Sequence, residues 1–444
     1  MRNRSLLVVW CVVVCGLGAD ATAQDVPVLR LTIDDAQMRA REASHRLAEA
    51  RARESVAQAT VAVRESADQP LVTAITGYTR TNHVLEFTVP GPGPLGLPRV
   101  LYPDVPNNYQ SRLDLQWPIY NGGRTDALER AARADAAAAS ADVSVARADL
   151  RLEVARAFWA VVTARATVDV LEQGVARSQA HVADVRQRFM AGLVPPNEIA
   201  SAEAQESRAR MLAIEARNQR DVSAADLARL VGLSPGQPLE PVATLDAPAS
   251  DVSGFDALVA SARESRDERR AFERRLESAT DLRTAAAAAR LPTLAIAGGV
   301  DYARPNPRHF PRADRWDDSW DASINMRWSL WDGGRTAADV AQASGAIEVA
   351  RQRLAEFDSV LAVEVRQRAL DLESGRAAVA AAGDSVRAAA EARRVVAERY
   401  QAGVIAEIEV LDAEYALLQA ELDRTRALAG VRLSEARLAR ALGR

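Results

Sequence analysis

Residues able to carry covalent or acid–base chemistry are thinly spread along this chain of 444 residues. The four histidines, His45, His83, His181 and His309, stand in unlike contexts. None has a second histidine one helical turn away, so no metal pair or His-based catalytic dyad is spelled out. The two cysteines, Cys11 and Cys15, both fall in an apolar N-terminal stretch. The remainder therefore lacks any thiol for a disulfide, a metal or nucleophilic attack. No glycine-rich phosphate loop or nucleophile elbow occurs. One carboxylate pair has a notable spacing: Glu409 and Asp412 are three apart and so share one helix face. Taken alone, they describe a solvated acidic face.

The overall composition removes further classes. Basic residues number 56 and acidic residues 60, for a net charge of −4. All the basic side chains are Arg, and the two signs are interspersed. Nucleic acid as a partner needs a clustered positive field, which is absent.

The N-terminus reads as a secretory signal over residues 1–23. Arg2 and Arg4 precede an apolar run from Leu6 to Leu17, and Ala21-Thr22-Ala23 offers a cleavage site before Gln24. Acylation of Cys15 is disfavoured by the bulky Val14 before it. Beyond the signal no long uncharged apolar run follows. Membrane insertion would therefore require a closed β-barrel.

The organisation is set by an internal repeat. Gln116-Trp117-Pro118-Ile119-Tyr120-Asn121-Gly122-Gly123-Arg124-Thr125 returns as Arg327-Trp328-Ser329-Leu330-Trp331-Asp332-Gly333-Gly334-Arg335-Thr336. Arg188-Phe189-Met190-Ala191-Gly192 returns as Arg399-Tyr400-Gln401-Ala402-Gly403, at the same offset of 211 residues. The expected division is a first repeat over 24–240, a Pro-rich linker over 241–253 and a second repeat over 254–444. Each repeat reads as helix, strand, loop, strand, very long helix, turn, helix. The long helices, about Arg124 to Ala191 and Arg335 to Ala402, contain no Pro and could each reach ~100 Å. Leu150, Val154, Ala157, Val161, Ala164, Val168 and Leu171 alternate steps of four and three, the coiled-coil spacing. The second copy keeps Leu361, Val365, Leu372 and Val379 on the seam, with Arg368 and Gly375 interrupting it. An ordinary two-helix hairpin is the plainer alternative.

Four amphipathic strands complete the pattern. From Tyr109 to Trp117 the odd positions are Tyr, Ser, Leu, Leu and Trp, and the even ones Gln, Arg, Asp and Gln. From Trp320 to Leu330 one face carries Trp320, Ala322, Ile324, Met326, Trp328 and Leu330. Lipid outside, a wet lumen inside, and Tyr109, Trp117, Trp320 and Trp328 as an interface girdle fit this alternation. A half-buried soluble sheet would alternate similarly. Four strands are too few to close a barrel, so several protomers must share one.

At these motifs the chain resembles the TolC-like outer membrane efflux protein family, the outer-membrane component of tripartite efflux and type I secretion systems. The resemblance rests on Trp117–Gly123 and Trp328–Gly334, on Leu291-Pro292-Thr293-Leu294, and on Arg188–Gln205 with its second copy Arg399–Ala416. It implies an α+β membrane protein and a homotrimer forming a 12-stranded β-barrel in outer-membrane lipid. A long α-helical barrel would continue it through the periplasm. It also implies a periplasmic adaptor (membrane fusion) protein and an inner-membrane pump as partners, and no cofactor. By the same resemblance Gly192 and Gly403 are adaptor-docking tips. Glu198, Tyr400, Glu409 and Asp412 line the periplasmic aperture, with six Glu409 and Asp412 carboxylates ringing a threefold axis. The family's basic partner falls at Ile405, so a closing salt bridge of that type is missing or rewired. The rival readings are an enzyme, for which no constellation exists, and a soluble periplasmic coiled-coil scaffold or adaptor, which would not need Trp-bounded amphipathic strands.

Overall fold

The computed structural model describes residues 28–91, 93, 96–234, 236–246 and 254–444. The expected signal segment, both cysteines included, lies outside the described residues, as does 247–253 of the expected linker. In chain order the elements are β1 (Leu29–Leu31), α1 (Ile33–Ala43), α2 (His45–Glu65), β2 (Leu71–Arg80), β3 (Phe87–Val89), β4 (Arg99–Tyr102), β5 (Asn107–Tyr120), α3 (Arg124–Met190) and α4 (Pro196–Leu230). There follow β6 (Leu239–Pro241), α5 (Phe255–Ser265), α6 (Asp267–Ala287), β7 (Thr293–Arg304), β8 (Asp317–Arg327), α7 (Arg335–Gln401) and α8 (Glu407–Ala441).

The duplication holds to the residue. Corresponding helices have identical lengths: 11 for α1 and α5, 21 for α2 and α6, 67 for α3 and α7, and 35 for α4 and α8. The repeated Asn/Asp-Gly-Gly-Arg-Thr motif is the corner that turns each strand into its long helix. Both glycine pairs, Gly122–Gly123 and Gly333–Gly334, adopt the positive φ that favours glycine. The preceding side chain then accepts from the new helix: Asn121 Oδ1 from the Thr125 amide at 3.3 Å, and Asp332 Oδ2 from the Thr336 amide at 2.8 Å.

The four long strands form one antiparallel sheet in the order β2–β5–β7–β8. Its register carries the sequence alternation across all four. Val72, Leu115, Gly298 and Ala322 lie in one row, and Ala74, Leu113, Val300 and Trp320 in the next, on one face. Arg112, Asp114, Asp301 and Asp321 share the other face, where Arg112 pairs with all three carboxylates. The expected strand through Leu330 is shorter: β8 ends at Arg327, opposite Thr293, the first residue of β7. Past that point β7 has no backbone left to pair with, so Trp328 and its followers leave the ladder. β5 runs on to Tyr120 by a bulge near Pro118, because Leu294 still faces it. The outer segment after β2, expected as loop, contains the hairpin β3–β4.

Helices stack in the same column order as the strands. α2 lies on α3, α3 on α6 and α6 on α7; further along, α4 lies on α3, α3 on α8 and α8 on α7. The main core is where α1, α2 and α4 close on the expected seam of α3, around Leu47, Val154, Phe158, Val161 and Leu227. A smaller core joins α5 and α8 to α7 through Leu258, Leu361, Val365, Ala369, Leu372 and Leu438. β6 pairs in parallel with β1, which fixes Pro241 beside Leu31. No described helix is long and apolar enough to cross a membrane.

Candidate functional site at the hairpin tips

The α3–α4 and α7–α8 hairpins end in matching turns. Leu193 N–H donates to the Arg188 carbonyl and Gly192 N–H to that of Phe189, both at 2.9 Å. Val404 and Gly403 repeat the pair on Arg399 and Tyr400 at 3.0 Å. These bonds satisfy the last carbonyls of each long helix and need a left-handed residue after it. Gly192 and Gly403 supply it, each with φ near 73°, and neither has anything within 4 Å of where a Cβ would stand. The glycines are thus required by conformation rather than by a close neighbour in the same chain. Phe189, Met190 and Leu193 at one tip, and Val404 and Ile408 at the other, expose apolar side chains.

Behind the turns the four helices converge on Tyr400, which is 5% exposed. Its hydroxyl donates to Glu198 Oε2 at 3.2 Å, so two of the expected aperture residues do meet. Burial, reinforced by the Glu198 charge, pushes the phenol up to about 12 and keeps it a donor. The Arg188 guanidinium sits 4.5 Å from the ring centre, and its Nη1 donates to the Tyr400 carbonyl at 3.1 Å. Asp184, one turn back on α3, accepts from Arg188 Nε at 2.9 Å.

A second contact, not foreseen, joins α3 to α8. His181 Nε2 faces Glu407 Oε1 at 3.4 Å, and neither atom has a hydrogen-bond partner among the described residues. Burial lowers the His181 pKa. Burial, with the Glu198 charge adding to it, raises Glu407 to about 7. His181 is therefore pushed toward its neutral form, and Glu407 keeps its proton up to about neutrality. The signal for this face lay in α3: His181, Asp184 and Arg188 follow the i, i+3, i+7 spacing of one helix side. The scatter of the histidines along the chain concealed it.

The remaining expected residues are placed but not joined. Glu409 and Asp412 are exposed on α8, and Ile405 is half-buried beside them. At the inner end of the sheet, Trp117 Nε1 donates to the Asp68 carbonyl and Trp328 Nε1 to that of Arg290, each at 3.1 Å. The two indoles thus mark equivalent corners of the repeats. At the loop end Tyr109 lies 5.0 Å from Tyr78 and 5.9 Å from Trp316, which stacks on Tyr302. Trp316 thus joins this aromatic cluster, which the strand alternation did not foretell because it sits outside any strand. Trp320 stands opposite Val300, nearer the strand middle than Tyr302. Among the described residues no cluster of His, Cys, Asp or Glu could hold a metal ion.

A family model described as outer membrane efflux protein matches residues 38–233 and 258–444. No curated protein matches the sequence. Among solved structures, the outer-membrane channel OprN is 19% identical, with 93% of this chain and 89% of that one covered and a TM-score of 0.76. The outer membrane protein VceC of Vibrio cholerae is 19% identical over 93% of this chain and 96% of its own, with a TM-score of 0.75. The open state of the MtrE outer membrane channel of Neisseria gonorrhoeae is 19% identical over 93% and 88%, with a TM-score of 0.75. At these identities the likeness is one of fold.

Proposed function

Because the chain belongs to the outer membrane efflux protein family, and so is an outer-membrane efflux channel with its helices in the periplasm, we propose that three copies close one duct. Each supplies four strands to a 12-stranded barrel and one slab of helices to a tube beneath it. The observation that carries this reading is the shared column order. The sheet leaves β2 and β8 unpaired on their outer sides, and the same outermost columns hold α2 with α4 and α7. An unpaired edge is intolerable in lipid, so β8–α7 of one copy must meet β2–α2 of the next, head to tail, until the ring closes. Strands of 10 to 14 residues are long enough to cross a bilayer at a tilt.

In this duct the polar face of Arg112, Asp114, Asp301 and Asp321 lines the lumen, and Tyr109, Trp117, Trp320 and Trp328 face lipid and its interfaces. The tips form the inner aperture. Glu198 and Tyr400 tie the two hairpins together, while Glu409 and Asp412 turn to the axis. The exposed apolar residues around Gly192 and Gly403 dock a periplasmic adaptor, which couples the duct to an inner-membrane pump. Passage is passive; no chemistry is done on the cargo.

Introduced cysteine pairs test the ring, since the chain's own cysteines lie only at 11 and 15. One cysteine on β2, at Thr73 or Ile75, and one on β8, at Ser323 or Asn325, should give covalent trimers on oxidation. Linkage that stops at dimers, or fails in every pair, would refute head-to-tail closure. The aperture is tested by conductance of the purified trimer. A trivalent cation on the tip side should block wild type but not the Glu409→Ala/Asp412→Ala double variant. An unchanged block would remove these carboxylates from the axis.

A further inference from the structure

The two tips share a motif but not an environment. Arg188 and Arg399 are repeat equivalents, as are Phe189 and Tyr400. Arg399 is exposed, and its side chain makes no hydrogen bond or ion pair with any described residue. Phe189 is likewise exposed. Arg188 is half-buried and reaches out of its own hairpin to the end of α7 in two ways at once. Its guanidinium carbon lies over the Tyr400 ring, and its Nη1 donates to the Tyr400 carbonyl. A guanidinium spreads its charge over a planar fork of donors, so it can sit over a ring and donate sideways at once. Asp184 holds the third side of the group and so fixes its orientation. Tyr400 lies in the last turn of α7, where the carbonyls carry the negative end of the helix dipole. A cation brought there by α3 caps α7 from outside. No residue of the α7–α8 tip does the same: Ile405 is aliphatic, and Arg399 turns to solvent.

We propose that Arg188 is the clasp of the resting aperture, a positioning residue on α3 that caps α7, aims the Tyr400 hydroxyl at Glu198 and so holds the second hairpin against the first. The proposal rests on the reading of the tips as the constriction. It gives the first repeat the holding part and the second repeat the held part. It also supplies the cation that the α7–α8 tip lacks at Ile405. Opening then consists of lifting Tyr400 off Arg188, and an adaptor that inserts between the tips would compete for that contact.

The test uses the detergent-solubilised full-length trimer and two independent readouts. Amide exchange over residues 396–406 reports the hold on α7, and single-channel conductance reports the aperture. Arg188→Ala should speed exchange there roughly tenfold, about the loss of one charge-assisted hydrogen bond, and raise conductance. Exchange around Leu361–Leu372 and the melting temperature should stay as in wild type. Arg188→Lys, which keeps the charge over the ring but not the fork, should recover part of both. Arg399→Ala should change neither. If Arg188→Ala does not assemble, Arg188→Gln keeps a donor without the charge and is read the same way. Unchanged exchange in the Arg188 variants, or an equal effect from Arg399→Ala, would overturn the clasp. Faster exchange with unchanged conductance would uphold the clasp and overturn the placement of the constriction at the tips.

Discussion

The two repeats have helices of the same lengths in the same order, yet they are buried very differently. Of 67 residues each, α3 buries 19 and α7 only 6. The cause is position in the slab. α3 is an inner column with α1, α2, α4, α6 and α8 around it, whereas α7 is an outer one that leaves Val349, Val360, Val363 and Leu370 uncovered. Where both repeats are buried they remain in register. Leu150, Val154, Phe158 and Val161 match Leu361, Val365, Ala369 and Leu372 at the repeat offset. Duplication thus set the geometry, and the surroundings set what each copy had to pack. Phe158 is fully buried in the core that α1, α2 and α4 form with α3; its counterpart Ala369 is buried in the smaller core that joins α5 and α8 to α7.

The strongest way to break this comparison is to erase the difference. Phe158→Ala should cost about 3–5 kcal/mol, since a fully buried ring with an edge contact to Trp159 is lost from a crowded core. Ala369→Phe should cost about 1–3 kcal/mol by overpacking. Denaturant midpoints of the solubilised protein would show it, and equal costs would mean that the two cores are packed alike.

Next in size is the lipid face. Leu115→Arg and Ile324→Arg, at repeat-related strands, should each cost about 2–4 kcal/mol near mid-bilayer. Folded trimer yield and heat resistance in detergent are the measure. Asn325→Arg on the opposite face should be tolerated. Asp114 is a poorer control than its sequence position implies, because its carboxylate accepts from Arg112 at 2.7 Å and a second Arg there would repel it. If Ile324→Arg is as harmless as Asn325→Arg, the outer column does not face lipid.

The smallest effect sharpens the asymmetry at the tips. Glu407 stands where the first repeat has Pro196, so only one hairpin carries this carboxyl. Raised from 4.5 to about 7, it holds its proton more tightly when packed than when exposed. On its account tip packing loses stability as pH rises from 4.5 to about 7, and no more above that. His181 acts in the opposite sense, losing stability as pH falls below its ordinary 6.5. Asp184 and Arg188 on α3, Glu198 on α4, Tyr400 on α7 and Glu414 on α8 complete the surroundings. In Glu407→Gln the first dependence disappears and the second remains. Amide exchange at 396–406, corrected for intrinsic rates, should therefore diverge from wild type between about pH 5 and 8. The variant should be the tighter of the two at the alkaline end. Parallel profiles would leave Glu407 without a part in tip packing.

The sequence by itself determined the periodic and the duplicated features. A fixed offset, a Pro-free run of apolar steps and a strict two-residue alternation are local, so the helix lengths, the α3 seam and the two faces of the sheet could be read directly. Gly192 and Gly403 were legible because only glycine takes a left-handed turn without strain, whereas the Gly-Gly pairs showed in the sequence only as a repeated motif. Tertiary structure decided what depends on neighbours from distant segments. β8 stops at Arg327 because β7 begins at Thr293. Trp316 joins an aromatic belt because its loop lies over Tyr109 and Tyr302. His181, Arg188 and Glu407 come together across more than two hundred residues because α3 is the column that both hairpins share. Spacing along one chain records which face a residue takes, not which face will be laid against it.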